Sequence, residues 1–430
     1  MRRKEKSLNG LNDLQELDAP IHRWWRFVLA FPPHLVTSYL DRFDLKRGAT
    51  VFDPFSGTGT TLVESKKRGF RAIGSEALEF CHVASKVKTN WEIPVARLIT
   101  VNRKLSAGIY EDLARYDLHN TDPDEIAKHN SLKISLPAAQ AKLLGKGYVS
   151  NRPLKKLLVI RERIHELEKG PIRDFFTLAL GAVSVAASNV GFGPEIYAKK
   201  AKADSDVWKL WSEQVEFMLD DLKAVQKKNH LPTEVFHADA RSVDFLKPSS
   251  VDAVITSPPY PNEKNYLRIT RIEHVITDLI RDRSGLKFQK KMLLRSNSGN
   301  VYKGDADGAL VRRFSSIQKI ADEIEERRIA LDKDSGWEKL YPTVVRLYFG
   351  GMYKHLKSLH AALKPNAKCA YVVGDQMSFL MVHIKTGEIL AEIAEEIGFK
   401  VDGIDLWRDR WATASKTLLR EEVVLFSKKA

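Results

Sequence analysis

Two short stretches of this sequence carry residue types that could do chemistry. The first is Thr256-Ser257-Pro258-Pro259-Tyr260, directly after the apolar run Val251-Asp252-Ala253-Val254-Ile255. Two consecutive prolines fix φ and remove two backbone donors. The carbonyls around them are left without a local strand partner and can face a ligand. Ser257 adds a hydroxyl and Tyr260 a flat aromatic face. Such a turn suits the handling of an exocyclic amino group on a planar base. The second stretch is Asp53-Pro54-Phe55-Ser56-Gly57-Thr58-Gly59-Thr60-Thr61. Its glycines let the backbone pass close to a ligand and open the following helix. The N–H groups of that helix start favour an anion such as a carboxylate or phosphate. Asp53 could accept from an ammonium. A ligand carrying both groups is an amino acid, and the methionyl part of S-adenosylmethionine qualifies. Glu76, roughly twenty residues further on, is placed to hold ribose hydroxyls. Asp239 could receive an adenine amino group. In isolation a single Gly-x-Gly is equally an ordinary tight turn. The turn lacks the Lys-Ser/Thr ending of a P-loop and the three-glycine dinucleotide spacing, which disfavours ATP, GTP and NAD.

The elements that must position these residues read as a parallel α/β sheet. The strand Ala49–Asp53, the glycine turn, a helix over Leu62–Arg68 stopped by Gly69, and the strand Phe70–Glu76 form a βαβ unit. Residues 21–43 show helical spacing broken by Phe31-Pro32-Pro33. From about 93 to 231 helical periodicity dominates and no strand–helix alternation is visible, so this stretch reads as a helical insertion. The apolar segment Phe175–Val190, with Ser184, Ser188 and Asn189, is too short and polar to span a bilayer and reads as a buried helix. Strands are expected again at Glu234–Asp239, Val251–Thr256 and Cys369–Gly374. The segments Val401–Arg408 and Glu421–Ser427 read as a closing antiparallel pair. The division is residues 1–92 as the first part of a catalytic domain, 93–231 as the insertion, and 232–430 as the second part, with a basic insertion near 268–345.

The chain has 430 residues, 43% hydrophobic, with a formal net charge of +14. That is ample for a core, and the basic balance suggests a polyanionic partner, nucleic acid first. A merely basic soluble protein is the bland alternative. Two cysteines, Cys81 and Cys369, form no disulfide framework and no metal pattern, which fits a reducing cytoplasm. No metal constellation is seen. The charged start, residues 1–6, leads into no signal peptide, and no membrane association is expected.

Basic residues cluster in two places. Lys287, Lys290, Lys291, Arg295 and Lys303 lie between Gly285 and Gly304 without an acidic residue, and Ser296–Asn300 lie among them. This segment could contact phosphates and base edges, or be a solvated loop. Lys142, Lys146, Arg152, Lys155, Lys156, Arg161 and Arg163 in the insertion form a candidate phosphate clamp or recognition region, or a solvated helix face. Trp24 and Trp25 are expected on different faces of a helix. His22 is either a polar group near the ligand or a satisfied structural histidine. Tyr266 closes the base pocket, or is a core tyrosine.

These residues carry a resemblance. Asp53–Thr61 followed by Ala72-Ile73-Gly74-Ser75-Glu76 resembles the cofactor motif of amino-directed DNA methyltransferases, and Thr256–Tyr260 their catalytic motif. The segment from Ile21-His22-Arg23-Trp24 through Phe31-Pro32-Pro33 resembles the part that packs over the cofactor's methionine end. Leu363-Lys364-Pro365, before the strand Ala370–Asp375, is similar to the family as well. The insertion matches only loosely, and the cofactor-first order of motifs departs from many serine-type members. The resemblance implies a Rossmann-like sheet with S-adenosylmethionine as cofactor and double-stranded DNA as substrate. It also makes a cognate restriction endonuclease a candidate partner. It implies that Ser257 and the Pro258 carbonyl hold the amino hydrogens, that Pro259 locks the turn, and that Tyr260 stacks on a flipped base. Within the family, serine at this position is similar to the cytosine-N4 group, so cytosine N4 is expected ahead of adenine N6. An RNA base methyltransferase and a catalytically silent DNA-binding subunit are the competing readings. Carbon-5 methylation needs a nucleophilic cysteine, and both cysteines read as buried and structural.

Overall fold

In the computed structural model the described residues are 13–25, 27, 29–119, 134–192, 196–226, 230–262, 264–412 and 415–430. The charged start at residues 1–6 lies outside them. Nine strands occur among these residues: β1 Thr50–Asp53, β2 Arg71–Glu76, β3 Val190–Phe192, β4 Ile196–Ala198, β5 Thr233–His237, β6 Val251–Thr256, β7 Leu363–Gly374, β8 Phe399–Ala412 and β9 Thr417–Lys428. Seven of them form one sheet in the order β5-β2-β1-β6-β7-β9-β8. The first five are mutually parallel. Strand β9 then runs antiparallel between β7 and β8.

The centre of this sheet is apolar because both its faces are covered. Val51, Phe52, Ala253, Val254 and Ile255 are fully buried, the near-continuous burial a parallel sheet requires. On one face α1 (Pro33–Phe43) lays Leu35, Val36, Tyr39 and Leu40 against Val51, Ala253, Ile255 and Val372. Its apolar positions recur at three- and four-residue spacing, and Pro33 at its first position costs no helical hydrogen bond. On the other face lies the helix Tyr341–Ala362, whose Val345, Phe349 and Met352 cluster with Phe52, Val254 and Tyr371.

Helices α2 (Thr60–Lys67) and α3 (Glu79–Thr89) follow β1 and β2. The segment expected to be helical contains α4 (Val95–Arg115), α5 (Asn151–His165), α6 (Pro171–Ala187) and α7 (Val207–Val225). It also contains the antiparallel pair β3–β4, which the sequence reading missed; three residues per strand leave too short a pattern to register. The apolar faces of these helices join Phe80, Cys81, Val83 and Val87 of α3 in one continuous cluster.

Three local expectations are corrected. Trp24 and Trp25 are not on a helix, because the turn Ala19–His22 is broken at Ile21, whose φ is +69°. Both indoles are buried and hydrogen-bonded to carboxylates, Trp24 to Asp221 at 3.0 Å and Trp25 to Glu273 at 3.2 Å. Leu363-Lys364-Pro365 does not precede β7 but opens it, with Leu363 paired to Val251. The basic stretch after Gly285 begins as a helix, α8 (Arg283–Met292), capped by Asp282 accepting from the Ser284 and Gly285 N–H groups, and continues irregularly from Leu293.

Candidate active site

Chain order in the sheet reverses between β1 and β6, and their carboxyl ends carry the two motifs. Ligands of open α/β sheets bind at such a switch point. The register Val51↔Ala253 and Phe52↔Val254 places Asp53 beside the end of β6. There the Thr256 hydroxyl donates to Asp53 Oδ1 at 2.6 Å. The glycine turn and the diproline turn are thus joined directly.

A cavity of about 240 Å³ opens above this junction. Its walls include Phe31, Phe55, Ser56, Gly57, Thr58, Thr60, Glu76, Asp239, Ser257, Pro258, Pro259, Tyr260 and Tyr266. The sequence reading thus selected residues that the fold brings to one place. Three of the residues selected for the cofactor lie outside the wall. Asp53 is beneath the floor, fully buried. Gly59 caps α2 with φ +84°, a conformation that disfavours a side chain. Pro32 borders a small recess beside the main cavity, with His22, Thr58 and Thr60.

The glycine turn is held from several sides. Ser56 N–H donates to Ser75 O at 3.0 Å, Ser75 Oγ to Pro54 O at 2.8 Å, and Ser85 Oγ to Gly57 O at 2.8 Å. Glu76 accepts from the Gly57 N–H and the Leu78 N–H, each at 2.8 Å. Burial pushes the Glu76 carboxyl up to about 7. Asp53 is raised to about 6, also by burial, against the opposing bonds from Thr256 and the Phe55 N–H. Its second oxygen, Oδ2, is buried with no partner among the described residues. An orphaned carboxylate oxygen is costly unless something binds it.

Ser257 donates its hydroxyl proton to Val372 O of β7 at 3.1 Å. A hydroxyl has one proton and two lone pairs, so Ser257 is left as an acceptor. Tyr260 Oη donates to Glu421 Oε1 at 3.0 Å, and Arg408 Nε donates to Glu421 Oε2. The Tyr260 ring lies along Gly374, where an added Cβ would stand 3.0 Å from Tyr260 Cε2. Tyr266 is partly buried at the wall, its ring 6.0 Å from that of Phe27. Burial raises its hydroxyl to about 12, so it is neutral.

Other selected residues are used differently. Asp239 reaches the wall, but both its oxygens accept from Arg241 Nε, and Oδ2 also from Nη2 at 2.6 Å. Arg241 further binds Asp307 at 2.8 Å and Lys291 O at 2.9 Å. Arg295 is corrected from phosphate contact to internal staple: it is 4% exposed and grips Asp305 with Nε and Nη2, each at 3.0 Å. Ser296, Asn297, Ser298 and Asn300 are buried too, and Ser296 O accepts from the Asn262 N–H at 3.1 Å, holding the chain just after the catalytic turn. Lys287 and Lys291 are exposed, while Lys290 is half-buried and donates to Gly299 O at 3.2 Å. In the insertion, Arg152 and Lys156 both bind Asp204, Arg161 is buried against Glu162, Arg163 binds Asp112 and Lys155 is half-buried, so the exposed members of the expected clamp are Lys142 and Lys146. His22 is the structural kind: buried, 2.8 Å from Glu64, and lowered to about 4 chiefly by desolvation. Both cysteines are buried and burial raises both thiols, against a nucleophilic role. Among the described residues no cluster of His, Cys, Asp and Glu suits a metal, and no helix is long and apolar enough to cross a membrane.

The wall also holds Arg241, Arg408, Arg410 and Glu421, none of which sequence reasoning selected. The last three lie on β8 and β9. Only the Arg241 position had a signal, two residues beyond Asp239.

Strand order and the switch-point cavity give a Rossmann-like sheet of the methyltransferase type, with a helical insertion. Comparison with known proteins agrees. The chain is 25% identical over 452 residues to the Type II methyltransferase M.BsoBI of Geobacillus stearothermophilus, covering 95% of this chain and 86% of that protein. It is 22% identical over 417 residues to the Type II methyltransferase M.AvaI of Anabaena variabilis, covering 90% and 80%. A segment of 47 residues is 45% identical to the Type II methyltransferase M.MwoI of Methanothermobacter wolfeii, covering 11% of this chain. No protein-family model matches the chain. Among solved structures, TrmN from Thermus thermophilus aligns at a TM-score of 0.28 and 11% identity, over 92% of this chain and 48% of that one. The fold assignment rests on this chain's own strand order. The cofactor is S-adenosylmethionine, and the residues present fit it: Glu76 and the turn residues Ser56, Gly57 and Thr58 line the cavity, and Asp53 Oδ2 beneath them has no partner among the described residues.

Proposed function

We propose that this protein methylates the exocyclic amine of a base extruded from duplex DNA, with cytosine N4 preferred to adenine N6. The observation that carries the reading is the bond from Ser257 Oγ to Val372 O. It spends the only hydroxyl proton away from the cavity, so the Ser257 lone pairs are available to an amino hydrogen. The Pro258 carbonyl, beyond the end of β6, is the second acceptor. An exocyclic amine is a poor nucleophile because its lone pair is delocalised into the ring. Two acceptors on its hydrogens favour a pyramidal nitrogen and free that pair for attack. S-adenosylmethionine, when bound, supplies the electrophilic methyl. The glycine turn, Asp53 and Glu76 hold the donor end, and Tyr260 offers its face to the base. The protein's part is then positioning and electrostatics.

DNA as substrate is supported by the net charge of +14 and by likeness to Type II methyltransferases over most of the chain. A duplex base must leave the stack to reach such a cavity. Residues 1–92 and 232–430 are read as the catalytic domain, and 93–231 as an insertion that braces it and contributes to target recognition through Lys142 and Lys146. Lys287 and Lys291 on α8 are candidate phosphate contacts, and Tyr266 a wall of the base pocket. A cytoplasmic enzyme paired with a restriction endonuclease completes the reading.

Labelled S-adenosylmethionine offered with duplex DNA, RNA or poly-cytosine tests it. Transfer to duplex DNA is expected, with the label in N4-methylcytosine. Cofactor binding without transfer to any nucleic acid would sink the proposal. Tyr260→Ala should abolish transfer, at least ~100-fold by loss of base positioning, while calorimetric cofactor binding survives.

A further inference from the structure

The β8–β9 hairpin runs beyond the sheet edge and presents two faces. Its register pairs Arg408 with Glu421 and Arg410 with Leu419 on one face, and Asp409 with Arg420 and Trp411 with Leu418 on the other. Arg408, Arg410 and Glu421 all reach the cavity wall, so the first face looks into the site. The two arginines there are used unequally. Arg408 is committed to Glu421, and through it to the Tyr260 hydroxyl. Arg410 donates one Nη2 hydrogen to Asp375 O at 2.9 Å, which fixes its direction without neutralising its charge. Its Nε–H is buried and finds no acceptor among the described residues. Among the described residues no carboxylate forms an ion pair with it, whereas Arg241 and Arg408 on the same wall, and Arg295, each have one.

Strand order decides what this guanidinium faces. The cofactor turn follows β1, the catalytic turn follows β6, and the hairpin lies beyond β7. Arg410 is therefore across the catalytic turn from the cofactor turn, on the side where the base must enter. A planar fork with a free edge suits an anionic oxygen. On that side the anion that accompanies an extruded base is its own backbone phosphate.

We propose that Arg410 binds a phosphate flanking the extruded nucleotide and so fixes the depth at which the base stands against Ser257 and Tyr260. This rests on the duplex-DNA reading above. Phosphate contacts position and do not specify, so the contact should be independent of recognition sequence.

The test compares wild type, Arg410→Ala and Arg410→Lys on unmethylated plasmid DNA. Loss of one charge-assisted hydrogen bond should raise KM for DNA by ~10-fold or more in Arg410→Ala. The slope of log Kd against log salt should become shallower by about 0.9. Cofactor affinity, read by calorimetry, should not move. Arg410→Lys keeps the charge and should keep the salt slope while losing part of the affinity. An unchanged KM and slope in Arg410→Ala would overturn the assignment, as would a weakened cofactor affinity, which would place the guanidinium on the methionine carboxylate instead. Wild-type protein that binds the cofactor but methylates no duplex DNA would refute the underlying reading, and the Arg410 assignment with it.

Discussion

Glu421 shows how a single side chain can govern a distant motif. It is 8% exposed, accepts from Tyr260 Oη, and is balanced by Arg408. Removing its carboxylate leaves a buried hydroxyl and a buried guanidinium unpaired, which strands both groups. Glu421→Ala should therefore lower kcat by at least ~10-fold with cofactor affinity unchanged, and Glu421→Gln should restore part of it. Equal loss in both variants, or a matching loss of cofactor binding, would show a structural role instead. The cofactor carboxylates make a second prediction. Burial raises Asp53 to about 6 and Glu76 to about 7. Both values lie above those of the unfolded chain, so between pH ~4 and ~7 the native state holds more protons. Their contribution to apo stability is fully present below pH ~4 and is lost as pH rises through 7. A ligand ammonium favours ionised Asp53, so cofactor affinity should move oppositely, weakening as pH falls below about 7. Calorimetry from pH 5.5 to 8 checks this, and Glu76→Gln should flatten the upper part of the profile. A flat wild-type profile would contradict it.

At the scale of elements, β6 and β7 act as a pair. Strand β7 supplies Val372 O to Ser257 and Gly374 to the Tyr260 ring. Gly374 is where the sequence offers an end to an apolar strand, and nothing there announces a catalytic neighbour. Gly374→Ala would press a methyl against Tyr260 Cε2 and, at 3.5 Å, Gln376 Nε2. The ring must shift or the strand must yield. The expected outcome is a loss of ~1–3 kcal/mol of stability and a fall in kcat between ~10- and ~100-fold, measured by thermal unfolding and steady-state transfer. Full activity would mean that the ring position does not matter. The basic stretch teaches the reverse lesson. Its composition reads equally as a nucleic-acid contact or a solvated loop, yet Arg295 and Ser296–Asn300 are turned inward. Composition counts charges but cannot tell which of them a local carboxylate, here Asp305, has already taken.

At the scale of the whole molecule, the insertion braces the cofactor end of the site. Asp221 of α7 accepts from the Ile21 N–H at 2.9 Å, from Trp24 Nε1 and from Arg23. Lys88 of α3 donates to His22 O at 3.1 Å and Trp25 O at 2.5 Å. The segment so clamped leads into Phe27, Leu29, Ala30 and Phe31, which wall the cavity. Asp221→Ala strips the acceptor from four donor groups on three residues and should cost about 3–5 kcal/mol. It should also weaken cofactor affinity by ~10-fold or more, since the wall is no longer held in place. Urea unfolding and calorimetry read the two effects. A destabilised protein with unchanged cofactor affinity would separate the brace from the site.

The sequence alone determined the βαβ start, the parallel sheet, its antiparallel close, and the two turns that meet at its switch point. Those are local matters. Glycine and proline restrict φ where they stand, and apolar alternation reports burial over a few residues. The Thr256–Tyr260 turn was legible because its chemistry is contiguous. Asp53, Ser257 and Glu76 were legible as residue types at strand ends. What only the tertiary structure decided is which polar groups are spent and which are free. Ser257 is an acceptor because Val372, more than a hundred residues later, takes its proton. Asp239 is engaged by Arg241, and Asp53 Oδ2 has no partner among the described residues. Arg408, Arg410 and Glu421 reach the site because the β8–β9 pair, itself legible in the sequence, docks through β9 on β7, a pairing that no local pattern encodes. A hydrogen bond or ion pair depends on geometry within a few tenths of an ångström, and that geometry is set by the packing of the whole chain.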